Sequence, residues 1–248
     1  MIILGVETAT MNGGAAILAD GMLIAELRLN IKTTHSERLL PGIDYLLKQT
    51  GIEPGQIDVI AVSHGPGSFT GLRVGLGLVK GMAYASGEKI KVVAVPTMEA
   101  FAWHFAFSSR PVCPLLNARK GELYGGIFLW AGSAFTRLVP ESVLPPRKWM
   151  ELAKDTLGSG HDKIIIMGEI EGIYKDEFEQ TAGAGNILFA PPSAMSPSPA
   201  NVAYVGSLMA EKGIFADPET FSPFYISKSE AELKWKASAS GRASERNR

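Results

Sequence analysis

The feature that most constrains this chain is a glycine-rich stretch directly after a predicted buried strand. The β-branched run Asp58–Val62 predicts the strand, and the stretch SHGPGSFTGLRVGLGLVKGMAYASG follows it at Ser63–Gly87. Ser68 is placed to cap a helix that continues to about Ser86. A strand, a glycine loop and a helix N-terminus together offer backbone N–H groups to an anion. The stretch therefore predicts either a phosphate-binding loop or a tightly packed turn.

The helix predicted within this stretch is apolar over most of its circumference. At ~100° per residue, one stripe consists of Leu72, Leu76, Val79 and Ala83, and a second of Gly71, Gly75, Leu78 and Met82. Its two charges, Arg73 and Lys80, share a narrow strip with Tyr84. A helix apolar on most sides is buried on most sides, and small residues four apart let another backbone approach. We expect one stripe to face the chain's own core and the other to face a partner.

The composition is typical of a soluble globular protein. Hydrophobic residues make up 46% of the 248 residues, charged residues 20%, and the net charge is −1. This balance does not favour a nucleic-acid or membrane-surface binder. The single cysteine, Cys113, excludes internal disulfides and a cysteine-based zinc site, which fits a reducing compartment. Because Met1–Val6 resembles a first strand and not a leader, we expect a cytoplasmic protein without a membrane span.

The first part of the chain predicts three antiparallel strands followed by helices. The strands are Ile2–Val6, Ala15–Ala19 and Met22–Asn30, and three strands in succession do not fit a Rossmann opening. An amphipathic helix follows at Thr34–Thr50, in which Pro41 predicts a kink or a late start. After the central stretch, a strand at Lys91–Val95 and a short helix at Thr97–Phe107 complete this part.

The pattern changes around Ser108–Pro111, and we predict a domain boundary there. Further strands are predicted at Val112–Leu116, Leu123–Trp130, Phe135–Val139 and Lys163–Met167, and helices at Pro146–Lys154, Glu171–Gln180 and Asn201–Lys212. Two α/β lobes follow from this order, at 1–108 and 109–236, with the helix at 201–212 a candidate to pack back on the first lobe. The low-complexity tail 237–248 is predicted to be disordered.

Two sets of polar and glycine residues are candidates for a phosphate loop. They are Glu7, Thr8 and Thr10 after the first strand, and Gly65, Gly67 and Ser68 before the central helix. The alternative is that all six are turn and cap residues. Neither a Walker A loop nor GxGxxG is present in the central stretch. The four histidines, His35, His64, His104 and His161, have no pair at the spacing of a helical metal site, so no metal site is predicted.

Three segments together resemble the TsaB (YeaZ) family. They are HSERLLPGID from His35, GPGSFTGLRVG from Gly65 and NARKGELY from Asn117, and the resemblance covers about Met1–Lys236. It implies a two-lobed α/β fold of the actin/Hsp70/sugar-kinase type, with ribonuclease-H-like sheets. It also implies a non-catalytic scaffold or dimerisation subunit of the bacterial complex that makes N6-threonylcarbamoyladenosine at position 37 of tRNA. Asn117 stands where this family usually has Asp.

The resemblance further implies the partners and the surface that binds them. The partners are the catalytic paralogue TsaD, the ATPase TsaE, a second copy when the subunit is alone, and tRNA only through the complex. The binding surface would be the helices at His35–Gln49 and Ser68–Ser86, with partner-binding candidates Leu39, Ile43, Leu46, Gly71, Arg73, Gly75, Leu78 and Met82. No cofactor is expected, beyond weak ATP or ADP binding at the complex interface. The rival hypothesis is an actin-fold ATP-dependent phosphotransferase that uses Glu7.

Overall fold

The computed structural model describes residues 1–87, 89–168, 170–183 and 185–226, without the side chains of 171–173. The first lobe contains the strands β1 (Ile2–Glu7), β2 (Gly13–Ala19), β3 (Met22–Leu29), β4 (Val59–Gly65) and β5 (Lys91–Pro96). Its helices are α1 (His35–Thr50), α2 (Phe69–Ala85) and α3 (Thr97–Ala102). The second lobe contains β6 (Val112–Arg119), β7 (Glu122–Ala131), β8 (Ala134–Leu144), β9 (Ile164–Met167) and β10 (Ile187–Phe189). The remaining helices are α4 (Pro146–Gly158), α5 (Glu171–Ala182) and α6 (Pro199–Glu211).

The two five-stranded sheets have the same topology. Their strand orders are β3-β2-β1-β4-β5 and β8-β7-β6-β9-β10. In each sheet the first three strands pair antiparallel, and the last two join in parallel. This repeated order is that of the ribonuclease-H-like sheet, so the two-lobed actin-like fold class is confirmed.

The first sheet is covered by helices on both faces. Alternate residues of β1 divide between two cores, because successive side chains of a strand point to opposite faces. Leu4 packs with the buried sides of α1 and α2, and Ile3 packs with Val202 of α6. α6 therefore lies on the first sheet although it follows the second lobe in sequence. The second sheet buries Trp149 and Phe178 of α4 and α5 on one face.

Several predicted boundaries need correction. α1 begins at His35 with Thr34 as its N-cap, so Pro41 lies inside the helix and does not delay its start. α3 ends at Ala102 and is followed by a short 3-10 turn, so it is shorter than predicted. The three-residue strand β10 was not predicted, because so short a run carries no detectable alternation. The tail predicted to be disordered, 237–248, lies outside the described residues.

After α6, residues 214–226 form a segment that we call the C-terminal strap. The strap begins at the C-terminal end of α2, where the Ala216 N–H donates to the Val92 carbonyl at 2.8 Å. It ends at the N-terminal end of α2, where Arg73 Nε donates to the Tyr225 hydroxyl at 3.0 Å. The strap thus covers one flank of α2. In the part of the chain that the structure describes, no helix has the length and apolar character needed to cross a membrane.

Candidate functional site

The turn between β1 and β2 packs directly on the N-terminal end of α2. The Ser68 side chain caps α2 by accepting a hydrogen bond from the Gly71 N–H at 3.2 Å. The Ser68 N–H, which an anion would otherwise use, donates to the Ala9 carbonyl at 2.7 Å. The helix end is therefore occupied by the chain's own turn.

Three glycines spaced by four residues make this close approach possible. A Cβ at Gly67 would lie 2.7 Å from the Ala9 carbonyl oxygen. One at Gly71 would lie 2.1 Å from the Thr8 carbonyl oxygen, and one at Gly75 2.3 Å from Thr8 Oγ1. Real Cβ atoms do not approach other atoms so closely, so each position needs glycine. The glycine spacing in this stretch is therefore explained by the close packing of these residues against the β1–β2 turn.

Two residues of α1 hold the same turn from the other side. His35 Nε2 lies 2.7 Å from the Thr10 carbonyl oxygen. Arg38 donates to the Leu29 carbonyl at 2.7 Å and also to the Met11 carbonyl. The sequence analysis missed this role. The detectable signal was His35, which lies beside the apolar sector of the amphipathic helix, where a polar side chain needs a partner. Arg38 lies outside that sector, so no such signal was present for it.

Glu7 is enclosed at the base of the turn. It is fully buried, and its Oε1 accepts a hydrogen bond from the Ala9 N–H at 2.5 Å. Its Oε2 has no hydrogen-bond partner among the described residues, and neither has Thr8 Oγ1. Burial, which disfavours the charged form, raises the pKa of Glu7 to about 7. The carboxyl group has no solvent-facing surface through which it could contact a ligand in this conformation.

The structure therefore brings five of the six phosphate-loop candidates together, but in a closed arrangement. Thr8 is fully buried, and Thr10 is 9% exposed. Gly65 is apart from the others: its N–H donates to Thr97 Oγ1, and the strap residue Phe224 covers it. His64 beside it holds the strap, because its carbonyl accepts from the Phe224 N–H at 2.7 Å.

The predicted partner-binding residues divide into two groups, and the first group needs correction. Leu39, Ile43 and Leu46 lie in the core under α1, where each is at most 3% exposed. Gly71 and Gly75 are buried against the turn. These five residues form no surface for a partner. The cause is that α1 buries its apolar sector on the first sheet, and that the glycine stripe of α2 faces Thr8.

The second group of predicted partner-binding residues lies on α2 and is not buried in the core. A partner surface on α2 therefore stays a prediction. Arg73 is exposed, and Leu78 and Met82 are partly buried. The exposed side of α2 also carries Gly77 and Gly81, where an added Cβ would meet nothing within 4 Å. Among the described residues, no group of three or more His, Cys, Asp or Glu is arranged to hold a metal ion.

The equivalent turn of the second lobe, between β6 and β7, is open. Asn117 Oδ1 accepts a hydrogen bond from the Arg119 N–H at 2.7 Å, which orders the turn locally. Both side chains are exposed, and the turn lines a surface cavity of about 200 Å³ together with Ile170 and Tyr174.

Polar contacts tie the second lobe and its return segment to the first lobe. Asn12 donates to Ser196 Oγ at 2.6 Å, and Arg28 donates to the Ser193 carbonyl at 2.9 Å. Arg137 of β8 forms an ion pair with Glu99 of α3 at 2.5 Å. These contacts connect the lobes on more than one side.

The fold and the site define a class: a two-lobed actin-like protein whose first-lobe turn is packed shut by its own helices. Residues 26–235 match the family model described as TsaD: tRNA N6-adenosine threonylcarbamoyltransferase. The chain is 30% identical over 182 residues to the tRNA threonylcarbamoyladenosine biosynthesis protein TsaB of Escherichia coli (strain K12), which covers 70% of this chain and 78% of that protein. It is 28% identical over 235 residues to TsaB of Bacillus subtilis (strain 168), which covers 95% and 98%.

A solved structure agrees with the fold. YeaZ from Pseudomonas aeruginosa superposes with a TM-score of 0.74 at 24% identity, over 90% of this chain and 99% of that chain. The chain belongs to the TsaD family as its model defines it, and within that family to the TsaB proteins.

Proposed function

We propose that this chain is a non-catalytic subunit that binds and supports a TsaD-type transferase in the synthesis of threonylcarbamoyladenosine on tRNA. The TsaB proteins to which it is similar are named for this pathway, which supports the assignment. The observation that carries the non-catalytic assignment is the closed turn. The groups expected to bind a phosphate are engaged within the chain itself. The Ser68 N–H donates to the Ala9 carbonyl, and Gly67 and Gly71 pack against the backbone of the β1–β2 turn.

The exposed side of α2 supports partner binding as the subunit's task. Gly77 and Gly81 leave its middle without side chains, and Tyr84 at its end is 85% exposed. Glycines four residues apart on a helix allow the backbone of another helix to approach closely. Leu40 adds an apolar side chain on α1, 54% exposed. We propose that this surface binds a helix of the TsaD-type partner, or of a second copy when the subunit is alone.

The test is a charged substitution on this surface. Gly77→Arg has room to fold, but it would place a bulky unpaired charge in the proposed interface. We expect unchanged circular dichroism and an affinity for the TsaD-type paralogue of the same organism lowered by about a hundredfold or more, measured by calorimetry. Gly158→Arg is the matched control, because Gly158 is also an open, exposed glycine, on α4 of the other lobe.

Two outcomes bear on the proposal directly. If Gly77→Arg folds and binds like the wild type, α2 is not the interface. Gly75→Arg, at the stripe first predicted to face the partner, is expected to unfold the protein, because Gly75 contacts Thr8.

The remaining assignments are part of the same proposal. We propose that the subunit requires no cofactor and that any ATP or ADP binding is weak and lies at the complex interface. TsaE and tRNA would bind only to the assembled complex, which would form in the cytoplasm. Calorimetry of the isolated chain with Mg²⁺ and ATP tests this. Micromolar affinity, or hydrolysis above about 1 s⁻¹ that survives repurification from metal-free buffer, would favour the rival ATP-dependent phosphotransferase.

A further inference from the structure

A deep apolar groove lies beside the C-terminal end of α2. It encloses about 580 Å³ between α2, the edge strand β5 and the first residues of the strap. Its floor is formed by the buried residues Ala83, Ile90 and Val92. Its walls carry the exposed aromatic rings of Tyr84 and Phe215. This volume falls within the range of sites that enclose a large side chain or a small ligand.

The chain itself carries a segment that fits this groove. The strap ends at Ile226, and residues 227–248 follow. Their large apolar residues are Leu233 and Trp235, and both stand among charged neighbours in the sequence AELKWK. A tryptophan buries about 150–250 Å² when it packs, so it gains most from an apolar groove near its point of attachment.

We propose that the segment containing Leu233 and Trp235 docks in the groove of the same molecule. The reach is sufficient. Tyr225, the next-to-last residue of the strap, contacts Arg73. Tyr84 in the groove wall lies eleven residues further along α2 than Arg73, or about 16 Å at helical rise. The ten residues from Ile226 to Trp235 are joined by nine peptide links, which span up to about 30 Å when extended. The segment can therefore turn back along α2 with slack.

The charges around the groove are compatible with this occupant. Asp217 and Glu219 lie on the strap side of the groove and Lys91 on the β5 side, while the segment carries both Glu232 and the lysines that flank Trp235. Lys80, which also lines the groove, is engaged by the strap: its Nζ donates to the Glu219 carbonyl at 3.3 Å and lies over the Phe221 ring. Opposite charges at the rim favour one orientation of a docked segment.

The docking has a consequence for the proposed partner surface. A segment returning from Tyr225 to Tyr84 crosses the exposed side of α2, over Gly77 and Gly81. Partner binding there would compete with it. This consequence rests on the proposed function, whereas the docking itself does not.

A cysteine pair in the full chain tests the docking. Cys113 is the only native cysteine and is buried, so introduced thiols can be followed separately. Tyr84→Cys combined with Lys234→Cys is expected to form an intrachain disulfide under mild oxidation. Tyr45→Cys combined with Lys234→Cys is the control, because Tyr45 is also an exposed tyrosine but lies on α1 outside the groove. A disulfide-linked dimer, no disulfide, or equal cross-linking in the control would overturn the proposal.

Tryptophan fluorescence of the full chain gives an independent measurement. The spectrum of Trp235 is obtained as the difference between the wild type and Trp235→Phe. We expect blue-shifted emission and acrylamide quenching several-fold weaker than for a free tryptophan, both lost in Phe215→Ala and independent of protein concentration. Water-like emission would contradict the docking, and a blue shift that appears only at high concentration would assign the groove to a second copy.

Discussion

The two lobes have a hairpin turn at the same place in the same sheet topology, at residues 8–12 in the first lobe and 120–121 in the second, yet one turn is closed and the other is open. In the first lobe, Glu7 and Thr8 at the β1–β2 turn are fully buried. In the second lobe, Asn117 and Arg119 at the end of β6, next to the β6–β7 turn, are exposed beside a cavity of about 200 Å³. The difference does not come from the strand order, which is the same in both sheets.

The helices around each turn account for the difference. In the first lobe, α2 approaches the turn through its glycines, and α1 holds it with His35 and Arg38. In the second lobe, Ile170 and Tyr174 near the start of α5 line a cavity and do not fill it. Strand order therefore places a candidate site, but side-chain volume on the following helices decides whether that site is open. Three predictions test this explanation.

The largest effect is expected where an added methyl group would push the helix off the turn. Gly71→Ala places its Cβ 2.1 Å from the Thr8 carbonyl oxygen, and neither backbone can yield without moving the other. We expect a loss of at least about 3 kcal/mol in the free energy of unfolding, measured by urea denaturation. Gly77→Ala on the open side of α2 is the control and should gain about 0.5–1 kcal/mol, because Ala favours a helix. If the two substitutions changed the free energy of unfolding equally, the close approach of α2 at Gly71 would not be what closes the turn.

A comparable effect is expected from pH, through Glu7. Its pKa is raised from 4.5 to about 7 in the folded state, so the folded state retains a proton that the unfolded state releases. The contribution of the protonated Glu7 carboxyl to the free energy of unfolding is fully present below about pH 4.5, and it is lost as the pH rises to about 7. The full change corresponds to about 3 kcal/mol.

Glu7→Gln isolates this contribution. The difference in unfolding free energy between the wild type and the variant should shift in favour of the variant from pH 5 to pH 8, and Glu53→Gln, at an exposed acid, is the control. A pH-independent difference would show that the Glu7 carboxyl reaches solvent or a cation.

The sequence predicted the architecture better than it predicted the site. The succession of strands and the Ser68 cap depend on local patterns, and these predictions agree with the structure. Which side of α2 faces the core could not be predicted, because two apolar stripes lie side by side and the choice depends on Thr8, some sixty residues away. The same holds for Leu39 and Ile43. The apolar sector of α1 indicates that these side chains are buried, but it does not indicate whether the chain's own sheet or a partner buries them.

The smallest effects on stability are expected from removing one arginine at each turn, Arg38 at the closed first turn and Arg119 at the open second turn. Arg38 donates to the Met11 carbonyl in the closed turn and to the Leu29 carbonyl at the end of β3, and it is 9% exposed. Arg38→Met therefore retains much of the side-chain volume and leaves both acceptors without that donor. We expect a loss of about 2 kcal/mol, because unsatisfied buried acceptors cost about 1–3 kcal/mol each and these are only partly buried. The matched change, Arg119→Met, removes an exposed guanidinium from the open turn and should alter stability by less than about 0.5 kcal/mol. Urea denaturation of both variants measures the two values under the same conditions. If Arg119→Met costs as much as Arg38→Met, the second turn is held by contacts as strong as those of the first, and helix packing would not explain why only one of them is closed.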